Sequence, residues 1–599
     1  MNRSFSQEIS PATDFVIVEP RQILAGAVSF VRVHATACWA GALLLVMALQ
    51  MFAVIWRKSI TVDEIVMIPS AYYHLASGNF QLVNEHPPLS KLVAGAPLLF
   101  VQPEEARPDQ ITAPSGSSDM RWAYYESFWE NNFDRFDTLG FWARAGMIAL
   151  TIGLGILVFW FARELFGDRA AIIATALFAL EPTVLGHGRV VQTDVPAAFG
   201  YLLFFMALYR YSRRRDWRRA AWLGTAAAIA ITAKYSMLLV GLVLAAYFAA
   251  ILWRAAGSDV RRTLLHASLV LVAILFIVNA AYFFHHPALS PADVQWINDS
   301  FTSHPRAFEN MTRMLSWILP KDFVLGILFQ FVHNSAGHYA SLLGMYSQTG
   351  WWYYFPVAFA LKTTVPFLLL SLAALAWSAY EFFRHKDSRF AWLIVPFVVY
   401  TIFVLFSHID IGVRYYLPAY PFLFIASAAL LDRLIKLRRA GRAGMLIAMM
   451  LLAWIGIEAV RAWPNHISYM NQLASRAPHW WYLSDSNVEW GDDLKATAAY
   501  LHARGENRVT DATLGGFFML HHYRIDRVDA LDSKFDAATA PRYIAIGASY
   551  LNGSTIPANF GRTVGLSDVE RVNIFSEYRK RVPEAVFGNS VFLFRQDVR

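Results

Sequence analysis

Long apolar runs constrain the fold of this chain more than any other feature of its sequence. The first run covers residues 36–56 and contains the stretch WAGALLLVMALQMFAVIW. It is long enough to cross the hydrocarbon core of a bilayer as one helix. It follows a polar N-terminal segment, and no small-residue cleavage site comes after it. We therefore expect a retained membrane span and not a cleaved signal peptide.

Further apolar runs are spread along most of the chain. They cover residues 141–161, 170–185, 195–209, 220–233, 236–253, 264–284, 356–379, 391–407, 414–433 and 443–461. The composition agrees with them, because 56% of the residues are hydrophobic and only 16% are charged, against about 25% charged in soluble domains. The sequence predicts a polytopic α-helical membrane protein with about 11 spans. The single cysteine, Cys38, excludes a disulfide within the chain.

Arginine-rich loops predict the orientation of these spans. Short cytoplasmic loops are enriched in Lys and Arg, and such loops occur at residues 210–219, 254–262, 383–389 and 432–442. This pattern places the N-terminal segment 1–35 in the cytoplasm and residues 57–140, 285–350 and 462–599 on the outer face. The net charge of +8 is concentrated in these loops, so it indicates topology and not nucleic-acid binding.

The three outer segments are expected to differ in kind. Residues 57–140 and 285–350 are rich in aromatics and proline, which is typical of ordered loops at a membrane–water interface. After residue 462 the apolar runs shorten to strand length, as in VTDATL, RYIAIGA and SVFLF, and GDDLKATAAYLHARG has the pattern of a helix. We predict a transmembrane domain over residues 36–461 and a small α/β domain over residues 462–599. Neither a P-loop nor GxGxxG occurs, which argues against an ATP-driven machine.

Ionisable residues lie at the outer ends of several predicted spans. Asp63 follows the first span, and Asp194, Lys234 and Arg414 lie at the ends of later runs. Charged groups near lipid are costly and usually line a cavity or a pathway. Carboxylates and cations around one cavity suit group transfer from a lipid phosphate, because one acid removes the acceptor's proton and the cations stabilise the leaving phosphate. A solvated acidic pair or a transporter's ion pathway is the alternative.

Five motifs resemble one known family in order along nearly the whole chain. They are VDEIVMIPSAYYHLASGNFQLVNEHPPLSKLVAGAPLLF, EPTVLGHGRVVQTDVP, GWWYYFPVAFALKTTVP, HIDIGVRYYLPAYP and NHISYMNQLASRAPHWWYLSDSNVEWGDDLK. The chain resembles the family 39 glycosyltransferases, which include protein O-mannosyltransferases and the bacterial aminoarabinose transferase of lipid A. The last motif resembles bacterial members that carry a C-terminal soluble domain. This resemblance implies a bacterial inner-membrane protein whose C-terminal domain is periplasmic or extracellular.

The resemblance also implies a fold and a reaction. The fold is the C-type glycosyltransferase fold. The reaction is the inverting transfer of a sugar, hexosyl or pentosyl, from a polyprenyl-phosphate carrier to an extracytoplasmic protein, lipid or polysaccharide. A sugar-lipid translocase or transporter that uses the same cavity without chemistry is the alternative function.

Matched residue by residue, the resemblance assigns roles within the motifs. Asp63 corresponds to the general base and Asp194 to a second catalytic acid. Their chemistry and their positions at the predicted outer face make six residues candidates for binding the donor phosphate or the acceptor: Glu64, His86, Lys91, Arg189, Lys234 and Arg414. Glu85 corresponds to a residue that binds a divalent metal in the aminoarabinose transferase. His338 lies outside these motifs and is a candidate second ligand from its residue type alone. His86 stands where the aminoarabinose transferase has a lysine, and Lys91 is a candidate replacement.

Each weaker assignment has a plainer interpretation that stays open. Glu85 and His86 precede Pro87 and Pro88, which fix an extended backbone, so this pair could serve only to fold the loop. Loop histidines such as His338 are more often hydrogen-bonded than metal-bound.

Overall fold

The computed structural model describes residues 35–106, 118–437 and 441–596, so nearly all of the N-terminal segment predicted to be cytoplasmic lies outside the described residues. Helices dominate the first half of the chain. They are α1 (Ala35–Arg57), α2 (Glu64–Ser77), α3 (Leu89–Val101), α4 (Ser118–Asn131), α5 (Phe136–Phe166), α6 (Asp168–Leu180), α7 (Pro182–His187), α8 (Asp194–Arg213), α9 (Trp217–Ala233), α10 (Leu239–Leu252) and α11 (Ser258–Ala281).

Short helices and a two-stranded antiparallel hairpin precede the last group of long helices. These elements are α12 (Pro291–Ser300), α13 (Pro305–Leu315), α14 (Lys321–Ala336), β1 (Ala340–Leu342), β2 (Met345–Ser347), α15 (Tyr354–Lys362), α16 (Val365–His385), α17 (Ser388–Val404), α18 (Tyr420–Lys436) and α19 (Gly441–Ala462). A 3-10 turn, Val413–Ala419, leads directly into α18. This turn carries one of the predicted site residues.

Seven helices in the described part of the chain are long and apolar enough to cross a membrane. They are Ala35–Arg57, Phe133–Phe166, Tyr235–Arg254, Ser258–Ala281, Val365–His385, Val413–Lys436 and Gly441–Ala462. Shorter apolar helices occupy Leu89–Val101 and Ser388–Val404. The predicted class, a polytopic α-helical membrane protein with a C-terminal α/β domain, is confirmed, but the count of about 11 spans is not.

Breaks inside two predicted runs explain part of the difference in span count. The run at residues 170–185 is interrupted at Glu181, whose backbone is extended because it precedes Pro182. The run at residues 356–379 is interrupted at Thr363 and Thr364, which are also extended. The Glu181 carboxylate accepts a hydrogen bond from the Thr364 hydroxyl at 2.9 Å. A side chain at one break is therefore the hydrogen-bond partner of a side chain at the other.

The chain after α19 forms a five-stranded mixed sheet with short helices. Its strands are β3 (Arg508–Ala512), β4 (Asp526–Asp529), β5 (Tyr543–Gly547), β6 (Ala585–Phe587) and β7 (Val591–Arg595), in the order β4-β3-β5-β7-β6. The helices are α20 (His479–Tyr482), α21 (Leu494–His502), α22 (Gly516–His522), α23 (Ala548–Asn552) and α24 (Asp568–Val572). The three predicted strands and the predicted helix correspond to β3, β5, β7 and α21, so these predictions are confirmed.

One segment, residues 484–493, contacts both the membrane helices and the sheet, and is called the connector below. Its Glu489 carboxylate accepts hydrogen bonds from the backbone N–H groups of Leu514 at 2.7 Å and Ser549 at 2.8 Å, just beyond the carboxyl ends of β3 and β5. Its Asn487 side chain accepts a hydrogen bond from the Val413 N–H at 2.9 Å. The connector therefore fixes the sheet against the turn that leads into α18.

Candidate active site

Asp63 lies on the loop between α1 and α2, immediately before the first residue of α2. The Gln192 side-chain amide donates a hydrogen bond to Asp63 Oδ2 at 2.5 Å, and Arg414 Nη1 lies 3.3 Å from the same oxygen. Burial raises the pKa of Asp63 above its ordinary value, and the Arg414 charge opposes this increase. The side chain is still 31% exposed, so a molecule in the adjacent space can reach the carboxylate.

Asp194 is the first residue of α8 and is almost completely buried. Its Oδ1 accepts a hydrogen bond from Lys234 Nζ at 2.6 Å, and its Oδ2 lies 3.4 Å from Arg414 Nη1. Arg414 thus bridges Asp63 and Asp194, which come from separate parts of the sequence. The structure brings four of the predicted site residues into one cluster, which we call the acid–cation cluster: Asp63, Asp194, Lys234 and Arg414.

Aromatic rings pack on both cations of this cluster. The Arg414 guanidinium lies 4.3 Å from the ring centroid of Trp490, and Lys234 Nζ lies 3.5 Å from that of Tyr415. Stacking of a cation on an aromatic face compensates part of its lost hydration. It also leaves the edge of the planar guanidinium free to donate hydrogen bonds, which suits the recognition of phosphate oxygens.

A cavity of about 510 Å³ adjoins the acid–cation cluster. His86, Lys234 and Tyr415 line its polar part, whereas Leu242 and Phe406 belong to its larger apolar part. Both of these apolar side chains are largely exposed on the outside of the helices. The cavity therefore joins a wall that carries the cation Lys234, called the cationic wall below, to an apolar surface of the kind that contacts hydrocarbon.

Glu64 is completely buried and is held by groups of the protein itself. Arg144 contacts it through two nitrogens, Nε at 2.8 Å and Nη2 at 2.5 Å, and the backbone N–H groups of Val191 and Thr61 donate further bonds at 2.8 and 2.7 Å. This arrangement connects α2 and α5 with the loop that precedes α8. A contact between Glu64 and the donor or acceptor stays a prediction, and these bonds favour a role in positioning the neighbouring Asp63.

Two further predicted residues, His86 and Lys91, lie in the loop between α2 and α3 and in the first turn of α3. Lys91 Nζ donates to the backbone carbonyls of Val83 at 2.7 Å and His86 at 2.9 Å, which fixes the loop that carries the His86 side chain. Burial, which disfavours the charged ring, is the main reason why the pKa of His86 is lowered to about 4. The ring is therefore neutral at pH 7. Neutral His86 contributes hydrogen bonding to the cavity wall and no charge.

Arg189 lies apart from the residues that line the cavity. Its Nη2 is 3.4 Å from Asp492 Oδ2 in the connector, and Lys58 Nζ approaches the same oxygen at 3.9 Å. The guanidinium is completely buried. A donor-binding role for Arg189 stays a prediction, and its contacts favour attachment of the connector to the loop before α8.

The two predicted metal ligands are not part of a recognisable ligand cluster. Glu85 lines the cavity, whereas His338 Nδ1 lies 3.1 Å from the backbone oxygen of Tyr339. Within residues 35–106, 118–437 and 441–596, no group of three or more His, Cys, Asp or Glu side chains is arranged to hold a metal ion. Metal binding by Glu85 and His338 therefore stays a prediction.

Sequence reasoning did not identify Gln192 or Trp490 as site residues. Both nevertheless lie in motifs that carry the family resemblance, Gln192 in VVQTDVP and Trp490 in SNVEWGDD. Gln192 is two residues before Asp194, and this proximity to a predicted acid is the available sequence signal. No comparable signal links Trp490 to Arg414, because their contact depends on how the connector packs.

We expect Gln192→Ala to reduce kcat/KM for transfer by roughly tenfold, because a hydrogen bond to a charged group contributes about 1.5–3 kcal/mol. Loss of this bond also removes stabilisation of the Asp63 carboxylate, so the acidic limb of the pH–rate profile should move to higher pH. Gln472→Ala is the control, since Gln472 donates to Glu458 and not to the acid–cation cluster. An unchanged pH profile would contradict the assignment of Gln192 to Asp63.

Asp410 is a buried carboxyl group in the motif that contains Arg414. Its Oδ2 accepts a hydrogen bond from the Trp351 N–H at 2.7 Å, and its Oδ1 has no hydrogen-bond partner among the described residues. Burial raises the pKa of Asp410 to about 7. The folded state therefore binds the carboxyl proton of Asp410 more tightly than the unfolded state, whose pKa is about 4. Proton binding by Asp410 stabilises the folded state fully below about pH 4, where the carboxyl is protonated in both states.

We expect the stability contribution of Asp410 to be lost as the pH rises to about 7, where the folded carboxyl ionises. Asp410→Asn has no such proton to lose. The thermal midpoint of this variant in detergent should therefore increase relative to wild type between pH 5 and pH 8. Asp134→Asn, at a side chain that is 86% exposed, is the control. A difference between Asp410→Asn and wild type that does not vary with pH would contradict the prediction.

Comparison with known protein families gives one match, in the first half of the chain. Residues 42–289 match the family model described as dolichyl-phosphate-mannose-protein mannosyltransferase. Over these residues, which are less than half of the chain, the match confirms the resemblance to the family 39 glycosyltransferases. None of the curated proteins matches the chain significantly.

Solved structures of two other proteins are similar to this chain. ArnT from Cupriavidus metallidurans bound to undecaprenyl phosphate is 16% identical, and the alignment covers 78% of this chain and 73% of that one with a TM-score of 0.46. The oligosaccharyltransferase of Archaeoglobus fulgidus in its apo form is 14% identical, with 85% and 69% of the two chains covered and a TM-score of 0.46.

Proposed function

We propose that this protein transfers a sugar, hexosyl or pentosyl, from a polyprenyl-phosphate carrier to an acceptor on the outer face of the membrane, with inversion at the anomeric carbon. The observation that carries the proposal is the acid–cation cluster beside a largely apolar cavity. The mannosyltransferase family match over residues 42–289 supports the same class of donor. The membrane is proposed to be a bacterial inner membrane, with residues 36–461 as the transmembrane catalytic domain and residues 462–599 as the extracytoplasmic domain.

The donor is proposed to bind with its phosphate at the cationic wall and its polyprenyl chain along the apolar part of the cavity. Lys234 and Arg414 are each within 3.5 Å of a carboxylate oxygen, which holds the two positive charges in place before the donor arrives. Groups fixed in this way stabilise developing charge without reorganisation during the reaction. The leaving group is the polyprenyl phosphate, whose negative charge they offset.

Asp63 is proposed to act as the general base. An acceptor hydroxyl oxygen attacks the anomeric carbon, the bond from that carbon to the phosphate oxygen breaks, and the hydroxyl proton passes to the Asp63 carboxylate. The raised pKa of Asp63 makes it a better proton acceptor than an ordinary carboxylate. Asp194, nearly enclosed between Lys234 and Arg414, positions these two cations and stays ionised.

Hydrolysis and transfer assays test the proposed function directly. Purified protein in detergent is mixed with polyprenyl phosphate that carries a radiolabelled sugar, together with cell-envelope protein, lipid and polysaccharide fractions. A transferase separates the label from the carrier and attaches it to one fraction. The translocase alternative predicts an intact donor after incubation, and that result with folded protein would overturn the proposal.

A further inference from the structure

A second cavity lies at the opposite end of α8 from Asp194. Its volume is about 310 Å³, and six of the residues that line it are Tyr211, Arg215, Tyr247, Arg254, Arg262 and His266. Helix α8 has 20 residues and therefore separates the two ends by about 30 Å. The cavity lies among the loops whose arginines predict the cytoplasmic side, so it is distinct from the proposed active site.

The arginines of this cavity have little competition from neighbouring acids. Asp216 pairs with Arg214 at 3.2 Å and with Arg219 at 3.8 Å, and neither of these arginines lines the cavity. Among the residues that the structure describes, Arg215, Arg254 and Arg262 form no ion pair with a carboxylate. Asp259 is the one acid in the lining, which leaves an excess of positive charge.

The floor of the cavity is polar and well ordered by internal contacts. The Tyr211 hydroxyl and His266 Nδ1 are hydrogen-bonded at 2.9 Å, and both side chains are buried. Arg262 Nη2 donates to the backbone carbonyl of Arg215, which joins the N-terminal part of α11 to the loop between α8 and α9. An anion that enters therefore meets guanidinium groups at the walls and hydrogen-bonding groups at the base.

Exposed apolar residues place the mouth of the cavity at the membrane interface. Trp253, which precedes Arg254, is 91% exposed, and tryptophan is enriched at the level of lipid head groups. Leu264 and Leu265 follow Arg262 on α11 and are also exposed. These leucines indicate the level at which hydrocarbon begins, so the arginines lie at the level of phosphate groups.

We propose that this cavity binds the phosphate-bearing head group of an anionic phospholipid from the cytoplasmic leaflet. The planar guanidinium groups provide paired donors for phosphate oxygens, and basic pockets between membrane helices on this side are suited to such head groups. The exposed leucines beside the mouth contact the acyl chains. A soluble phosphate shares the anionic chemistry but gains nothing from these apolar neighbours.

The test is lipid binding by the delipidated full-length protein in detergent, measured by native mass spectrometry with phosphatidylglycerol. Arg254→Gln/Arg262→Gln should weaken binding at least about tenfold, because it removes two guanidinium groups that form charge-assisted hydrogen bonds with the phosphate. Arg213→Gln/Arg261→Gln is the matched control. It removes the same charge from residues outside the lining and should keep affinity within about threefold. Phosphatidylcholine should bind to wild type much more weakly than phosphatidylglycerol.

Three results would overturn the proposed lipid site. Equal losses in the two double variants would show a diffuse attraction by the basic loops. Equal binding of phosphatidylcholine to wild type would show that head-group charge is not recognised, and displacement of phosphatidylglycerol by millimolar inorganic phosphate would assign the site to a soluble anion. If the glutamine pair does not fold, Arg254→Lys/Arg262→Lys keeps the charge and should still lose affinity, because lysine lacks the planar fork.

Discussion

Replacing Asp63 with asparagine is expected to abolish sugar transfer while the protein still folds and inserts into the membrane. The amide cannot accept the acceptor's proton, and loss of a general base typically costs about 10²–10⁴-fold in rate. Asparagine has the same shape as aspartate, and its side-chain oxygen can still accept the hydrogen bond that Gln192 donates to Asp63. The measurement is kcat for label transfer from the polyprenyl-phosphate donor.

The control for Asp63→Asn is Asp134→Asn, which makes the same chemical change at an acid that is 86% exposed. Its activity should remain close to that of wild type. Thermal unfolding in detergent checks that both variants are folded. Near-normal turnover by folded Asp63→Asn would refute the role of Asp63 as the base.

We expect Arg414→Gln to reduce kcat/KM by about 10²–10³-fold, the scale of losing one group that stabilises transition-state charge. The change removes the cation that bridges Asp63 and Asp194. Lys234 still pairs with Asp194 at 2.6 Å, so one of the two cations proposed to bind the phosphate remains. The measurement is the concentration dependence of donor turnover, because both kcat and KM should change if Arg414 contacts the phosphate throughout the reaction.

Two further variants sharpen the test of Arg414. Arg414→Lys keeps one charge but cannot bridge both acids, so its activity should lie between those of wild type and Arg414→Gln. Arg524→Gln, at a side chain that is largely exposed near Asp134, should leave activity unchanged. Activity of folded Arg414→Gln within about fivefold of wild type would contradict a role for Arg414 in binding the donor phosphate.

The sequence predicts the acid–cation cluster because ionisable side chains near lipid are stable only where they pair with each other or line a cavity. Arg414 lies 351 residues after Asp63 and 220 residues after Asp194. Each of the three nevertheless lies at the end of an apolar run on the same predicted face. Burial of one such charge requires an opposite charge nearby. Ionisable groups on one face are therefore expected to come together. In the structure Arg414 lies within ion-pair distance of both Asp63 and Asp194.

The same reasoning does not distinguish a binding residue from a positioning residue. Glu64 follows Asp63 directly in the sequence, but its partner Arg144 is 80 residues away on α5. The packing of α2 against α5 decides whether Asp63 or Glu64 turns toward the cavity. No pattern in the nearby sequence predicts that packing. The span count has a similar limit, because hydropathy alone does not locate backbone breaks such as the one before Pro182.

The connector also limits how small a working unit of this protein can be. Glu489 is bound to the sheet, while the next residue, Trp490, forms one face of the space around Arg414. Detachment of the sheet would pull on this tryptophan and uncover the guanidinium. A shortened chain that ends after α19 would lack part of the wall around the acid–cation cluster, so we expect the C-terminal domain to be required for the proposed transfer and not to be a separable appendage.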